Sequence, residues 1–123
     1  MTPPPDHLTL SSLARTEHGW PLRQLRIPEA QEITRGQSSL TIAVIDLGYR
    51  ANPEHKPHLW VNPDPVDGDV HGWDCHDEDG SLADDGVDRD KHGPKNHHAF
   101  VVGQVIAGAP GCRVMIVRVS NDN

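Results

Sequence analysis

Two apolar runs of strand length stand far apart in the chain. One is Leu40–Ile45 in SLTIAVIDLGY, the other Arg113–Val119, RVMIVRV. The first lacks the polar alternation of a half-exposed strand, as is typical of a parallel strand buried on both faces; the second also reads as buried. Parallel neighbours need a crossover connection, and HHAFVVGQVIAG (97–108) supplies a helix for it. Strand, long excursion, helix and strand together predict a right-handed crossover unit of an α/β fold. The helix is apolar nearly all round, which predicts burial between layers. Gly103, Ala107 and Gly108 would let another backbone come close. APGC then turns the chain into the second strand.

The segments around this unit are polar. Residues 1–19, with a Pro triplet, read as a surface-running lead-in. Residues 20–123 read as the domain proper. PEAQEITRG opens that domain as a short helix: Pro28 suits a first turn, Glu29 and Glu32 suit a helix N-terminus, and Gly36 supplies the stop. Between first strand and buried helix, residues 50–96 show no sustained period and hold more than half of the chain's 18 acidic residues. A structureless loop beyond ~15 residues is normally functional or ion-bound in a compact fold.

With 123 residues, 35% of them hydrophobic and 11 each of Gly and Pro, the chain has room for one domain with a modest core. A formal charge of -7 leaves no basic footprint, so neither nucleic acid nor an anionic membrane is an expected partner. No run approaches the ~20 apolar residues of a membrane span, and MTPPPDHLTL lacks the parts of a secretory signal. A cytoplasmic location follows if Met1 is the true start. For Cys75 and Cys112, one bridge and two free thiols are both open.

Asp46 closes the first strand and His97 opens the helix, so both fall on one rim of the crossover unit. A carboxylate that orients an imidazole is two-thirds of a Ser/His/Asp relay. The helix N-terminus disfavours a cation, which keeps the resting imidazole available as a base. The plainer alternative is that Asp46 caps a turn and His97 caps a helix.

Around these two residues the sequence resembles the subtilisin-like serine peptidases, or subtilases, in order from about Trp20 to Val119. IPEAQEITRG resembles the lead-in helix, and IAVIDLG resembles the catalytic-Asp motif V-[IL]-D-[ST]-G. NPEHKPHLWVNP is similar to the H-P-D-L stretch with its following W-x-N-P, and GWDCHDEDG to G-[WY]-D-F with its acidic loop. HHAFVVGQVIAGAPGCRVMIVRV aligns without a gap to H-G-T-H-V-A-G and the strand after it.

The resemblance implies a partial subtilisin-like three-layer α/β fold with a parallel sheet. It makes Asp46 the relay carboxylate and His97 the general base of an endopeptidase that cleaves peptide or protein substrates. A slip of one residue would make His98 the base instead. In the favoured register His98 takes the place of a glycine, where its bulk would crowd the substrate cleft. Leu47 replaces the small hydroxyl residue beside the Asp, which predicts a carboxylate short of one hydrogen bond.

The family's nucleophile motif, G-T-S-x-[AS]-x-P, is not in the chain, and Ser11, Ser12, Ser38, Ser39, Ser81 and Ser120 lack a nucleophile elbow. The expectation is therefore that downstream sequence supplies the rest of the peptidase domain, and that this segment alone is inactive. Subtilases are often secreted and often carry structural calcium. Asp77, Asp79 and Asp84 are the candidate Ca2+ ligands, although DEDGSLADDG lacks EF-hand spacing. Cys75, His76, His92, His97 and His98 could offer zinc ligands but without the short paired spacings of closed sites. Trp20, Trp60 and Trp73 read as packing anchors. Two other functions compete with the peptidase: a catalytically inactive subtilase-like binding or regulatory module, and a metal-binding loop protein.

Overall fold

The structure, a computed structural model, describes residues 19–83 and 97–120. Helices α1 (Trp20–Gln24) and α2 (Ile27–Ile33) lead into strand β1 (Thr41–Asp46). A 3-10 turn (Lys56–His58), a short strand β2 (Gly72–Asp74), helix α3 (His97–Gly108) and strand β3 (Arg113–Arg118) follow. All strand pairings are parallel, and β3 is central in the order β1-β3-β2. The two apolar runs are thus direct neighbours, with α3 between them in sequence, as the crossover reading requires.

Pro28 does sit in the first turn of α2. That helix ends at Ile33, earlier than the PEAQEITRG pattern suggests. Gly36 lies beyond the helix at φ 93, where a Cβ would overlap the Cys112 thiol. The Gln31 amide donates to the carbonyls of Ala107 and Gly108, two of the acceptors that a helix C-terminus leaves without intrahelical donors. This contact sets α2 against the far end of α3.

One face of the sheet carries the core. Val44, Val114 and Ile116 are buried there, packed with Val102, Tyr49 and Leu59, while Val105 and Ile106 of α3 close over them. The opposite face differs from expectation: Ala43 is exposed and Ile45 is 64% exposed. β1 is the edge strand of this sheet, and α3 covers only one side, so the apolar run is not buried on both faces. The helix departs in the same way. Only His98 and Val102 of α3 are buried, and Phe100 is 63% exposed, because among the described residues a single layer lies against the helix.

The long excursion is not structureless over its described part. Leu59 forms a parallel bridge with Val114, and the Trp60 N–H donates to the Val114 carbonyl. β2 then joins the outer edge of β3, and Tyr49 N–H donates to Leu82 O at 2.7 Å. Backbone pairing fastens the acidic segment to the sheet up to Leu82. Trp60 and Trp73 are half-buried, whereas Trp20 is exposed and anchors no core. Cys75 is exposed and Cys112 buried, and both are free thiols. No helix among the described residues is long and apolar enough to cross a membrane.

Candidate active site

Parallel pairing in register brings three strand ends together. Asp46 of β1 lies opposite Arg118 of β3, which lies opposite Asp74 of β2. This is the carboxyl edge of the sheet, where open α/β folds place their chemistry.

At the β1 end, His97 Nδ1 donates to Asp46 Oδ2 at 2.8 Å. The His97 side chain is 65% exposed and that of Asp46 14%. Asp46 is therefore held within the fold while the imidazole projects toward solvent. Among the described residues Asp46 is the only hydrogen-bond partner of the His97 ring. With Nδ1–H committed to the carboxylate, the ring's acceptor is Nε2, the nitrogen a general base uses.

The hydroxyl missing at Leu47 has a substitute. The Leu47 backbone N–H donates to Asp46 Oδ1 at 2.7 Å, so both carboxylate oxygens have a donor and the expected shortfall does not arise. Backbone geometry supplies a bond that side-chain identity cannot reveal.

His98 points the other way from His97. It has no accessible surface, its Nδ1 lies 2.6 Å from the Leu47 carbonyl, and its Nε2 lies 3.0 Å from the Val44 carbonyl. It does not crowd a cleft. Successive residues of a helix diverge by ~100°, which sends one imidazole outward and the next inward.

The interior continues through two more rings. Tyr49 packs edge-on to His98, with centroids 5.6 Å apart, and its hydroxyl donates to His55 Nδ1 at 2.9 Å. Burial pushes the Tyr49 phenol above its ordinary range, opposed by a backbone hydrogen bond at Asn52. Burial also pulls the His55 imidazole below its ordinary value, with Glu54 opposing and His58 adding to the shift. Gly103 faces the His55 ring rather than another backbone; a Cβ there would meet Nε2 at 3.5 Å, an ordinary van der Waals contact.

At the other end of the edge lies a buried ion pair that sequence reasoning missed. Arg118 Nη1 donates to Asp74 Oδ2 at 2.8 Å, with side-chain exposures of 3% and 0%. Asp74 Oδ1 accepts from the backbone N–H groups of His76 and Asp77, and Asp77 adds a second carboxylate 3.5 Å from Arg118. One signal was available. Arg118 continues the alternation of Val114 and Ile116 along β3, which puts it on the buried face where a cation needs a partner.

Asp77 faces Arg118, and Asp79 Oδ1 accepts from the Ser81 N–H, while Asp84 and His92 lie outside the described residues. Among the described residues no three His, Cys, Asp or Glu side chains form a group able to hold a metal ion. Two other histidines have plain structural work: His58 donates to the Pro110 carbonyl and His71 to that of Trp60. The chain matches no family model, no curated protein and no solved structure.

Proposed function

We propose that this chain is the Asp- and His-bearing part of a subtilisin-like serine endopeptidase domain, with a three-layer fold in the complete protein. One observation carries the reading: the 2.8 Å hydrogen bond from His97 Nδ1 to a largely shielded Asp46, with the rest of the ring open to solvent. A turn cap or a helix cap would not require a side-chain pair between residues so far apart in sequence.

In this reading Asp46 fixes the tautomer of His97 and offsets the charge that develops on the ring. His97 Nε2 accepts the hydroxyl proton of a serine supplied by the remainder of the domain. The serine oxygen attacks the scissile carbonyl of a peptide or protein substrate. His97 returns the proton to the departing amine, leaving an acyl-enzyme. Nε2 then deprotonates the water that hydrolyses this ester. The oxyanion donors and the walls of the substrate cleft belong to the same remainder.

The test is to treat the full-length gene product with a fluorophosphonate probe and map the labelled residue. Labelling on a serine outside 1–123, lost in His97→Ala with circular dichroism unchanged, is the expected result. A folded full-length product that takes no label would reject the peptidase and favour a subtilase-like binding module.

A further inference from the structure

We propose that His98 is the positioning residue of the Asp46–His97 pair, carrying a proton on each ring nitrogen so as to hold the Leu47 and Val44 carbonyls at once. Its part in catalysis rests on reading that pair as a relay; its bonding does not.

The inference starts from donor and acceptor counting. A neutral imidazole has one N–H and one lone pair. Both nitrogens of His98 face backbone carbonyl oxygens, Leu47 O at 2.6 Å and Val44 O at 3.0 Å, and neither carbonyl can donate. A neutral ring in this place would set a lone pair against a carbonyl oxygen at one of the two contacts. Only the doubly protonated ring satisfies both.

The start of α3 and complete burial both weigh against a cation, and nearby negative charge offsets them. Two carbonyl dipoles point at the ring, and the carboxylate of Asp46 belongs to the residue just before Leu47. Tyr49 packs against the ring in a T-shaped arrangement, with centroids 5.6 Å apart. Of the other titratable groups nearby, His97 turns outward to Asp46 and His55 is engaged by the Tyr49 hydroxyl.

These contacts close a circuit. His98 holds the Leu47 carbonyl, the Leu47 N–H holds Asp46 Oδ1, Asp46 Oδ2 holds His97 Nδ1, and the peptide bond joins His97 to His98. The second contact, to Val44, fixes the same helix end to the strand two residues before Asp46. His98 thereby sets the separation of α3 and β1 at the point where the pair must meet.

The experiment is long-range 1H–15N correlation on the 15N-histidine-labelled chain near neutral pH, which reads protonation and tautomer of each ring from its nitrogen shifts. In the parent chain both His98 nitrogens should appear protonated; a lone-pair shift on either one overturns the proposal. His98→Asn retains a donor near the Nδ1 position, and His98→Gln one near Nε2. His98→Asn should preserve the Nδ1–H tautomer of His97. His98→Gln should lower its Nδ1–H to Nε2–H ratio about tenfold, the factor to which about 1.4 kcal/mol corresponds. Unchanged His97 shifts in a folded His98→Gln chain would remove the positioning role. If neither variant folds, the parent spectrum still decides between one proton and two. None of these readouts needs peptidase activity, so failure of the relay reading would register separately, in the fluorophosphonate experiment.

Discussion

His97 and His98, adjacent in sequence, serve opposite sides of the helix start: His97 reaches out to Asp46 at 2.8 Å, while His98 is buried against the carbonyls of Leu47 and Val44. One imidazole is open to solvent. The other holds the scaffold in place.

The Asp46–His97 bond predicts a specific kinetic defect. Under the proposed peptidase function, Asp46→Asn in the full-length gene product should lower kcat by about 10⁴-fold with little change in KM, because an amide stabilises neither the required tautomer nor the imidazolium. The fold should survive, since an amide oxygen can still accept the Leu47 N–H. Steady-state kinetics beside a thermal melt separate the two effects.

The Asp74–Arg118 pair predicts strong coupling in stability. Arg118→Met should cost about 3–5 kcal/mol, since it leaves the fully buried Asp74 carboxylate without its cation, and Asp74→Ala should cost less, since Asp77 still faces Arg118 at 3.5 Å. The double variant should lose much less than the sum of the two single losses. Urea unfolding of all four proteins measures the coupling, and strictly additive losses would contradict it.

His55 predicts acid sensitivity. Burial lowers its folded value below the ordinary 6.5, so the fold favours the neutral ring that accepts the Tyr49 hydroxyl. The stabilising contribution is whole above pH 6.5 and is lost as the pH falls through the folded value. Between about pH 7.5 and 5.5 the parent chain should therefore lose more unfolding free energy than His55→Asn, which retains an acceptor but does not titrate. Equal losses in denaturant titrations would count against His55.

Gly72 predicts a local failure of the sheet. Its φ of 152 is strained for other residues, and a Cβ there would overlap the Ile116 carbonyl. Gly72→Ala should cost about 1–3 kcal/mol in backbone strain alone and should detach β2 from β3. Amide exchange would report this directly as lost protection at Ile116, which donates to His71, and at Cys75, which donates to Arg118.

The parts of this molecule legible in sequence were those written in local pattern. Leu40–Ile45 and Arg113–Val119 marked two strands, and Asp46 and His97 marked their shared rim. What stayed hidden depends on partners distant in sequence. Burial of both faces of β1 could not be judged without knowing that it ends at a sheet edge. The inward turn of His98 follows from helical phase only once β1 is known to lie beneath it. Leu47 looked like a lost hydrogen bond because sequence displays side chains, and the bond to Asp46 comes from the backbone. The short strand β2 had no period to betray it, yet it positions Asp74 against Arg118.

The rung Asp46–Arg118–Asp74 makes strand alignment a condition of chemistry. Side chains alternate faces along a strand, so deleting one codon within 41–45 would turn Asp46 to the side away from α3. Such a chain could retain strand, helix and most of its apolar core, yet no longer present a carboxylate to His97. At this edge, the length of β1 matters more to the contact between Asp46 and His97 than the identity of its apolar residues.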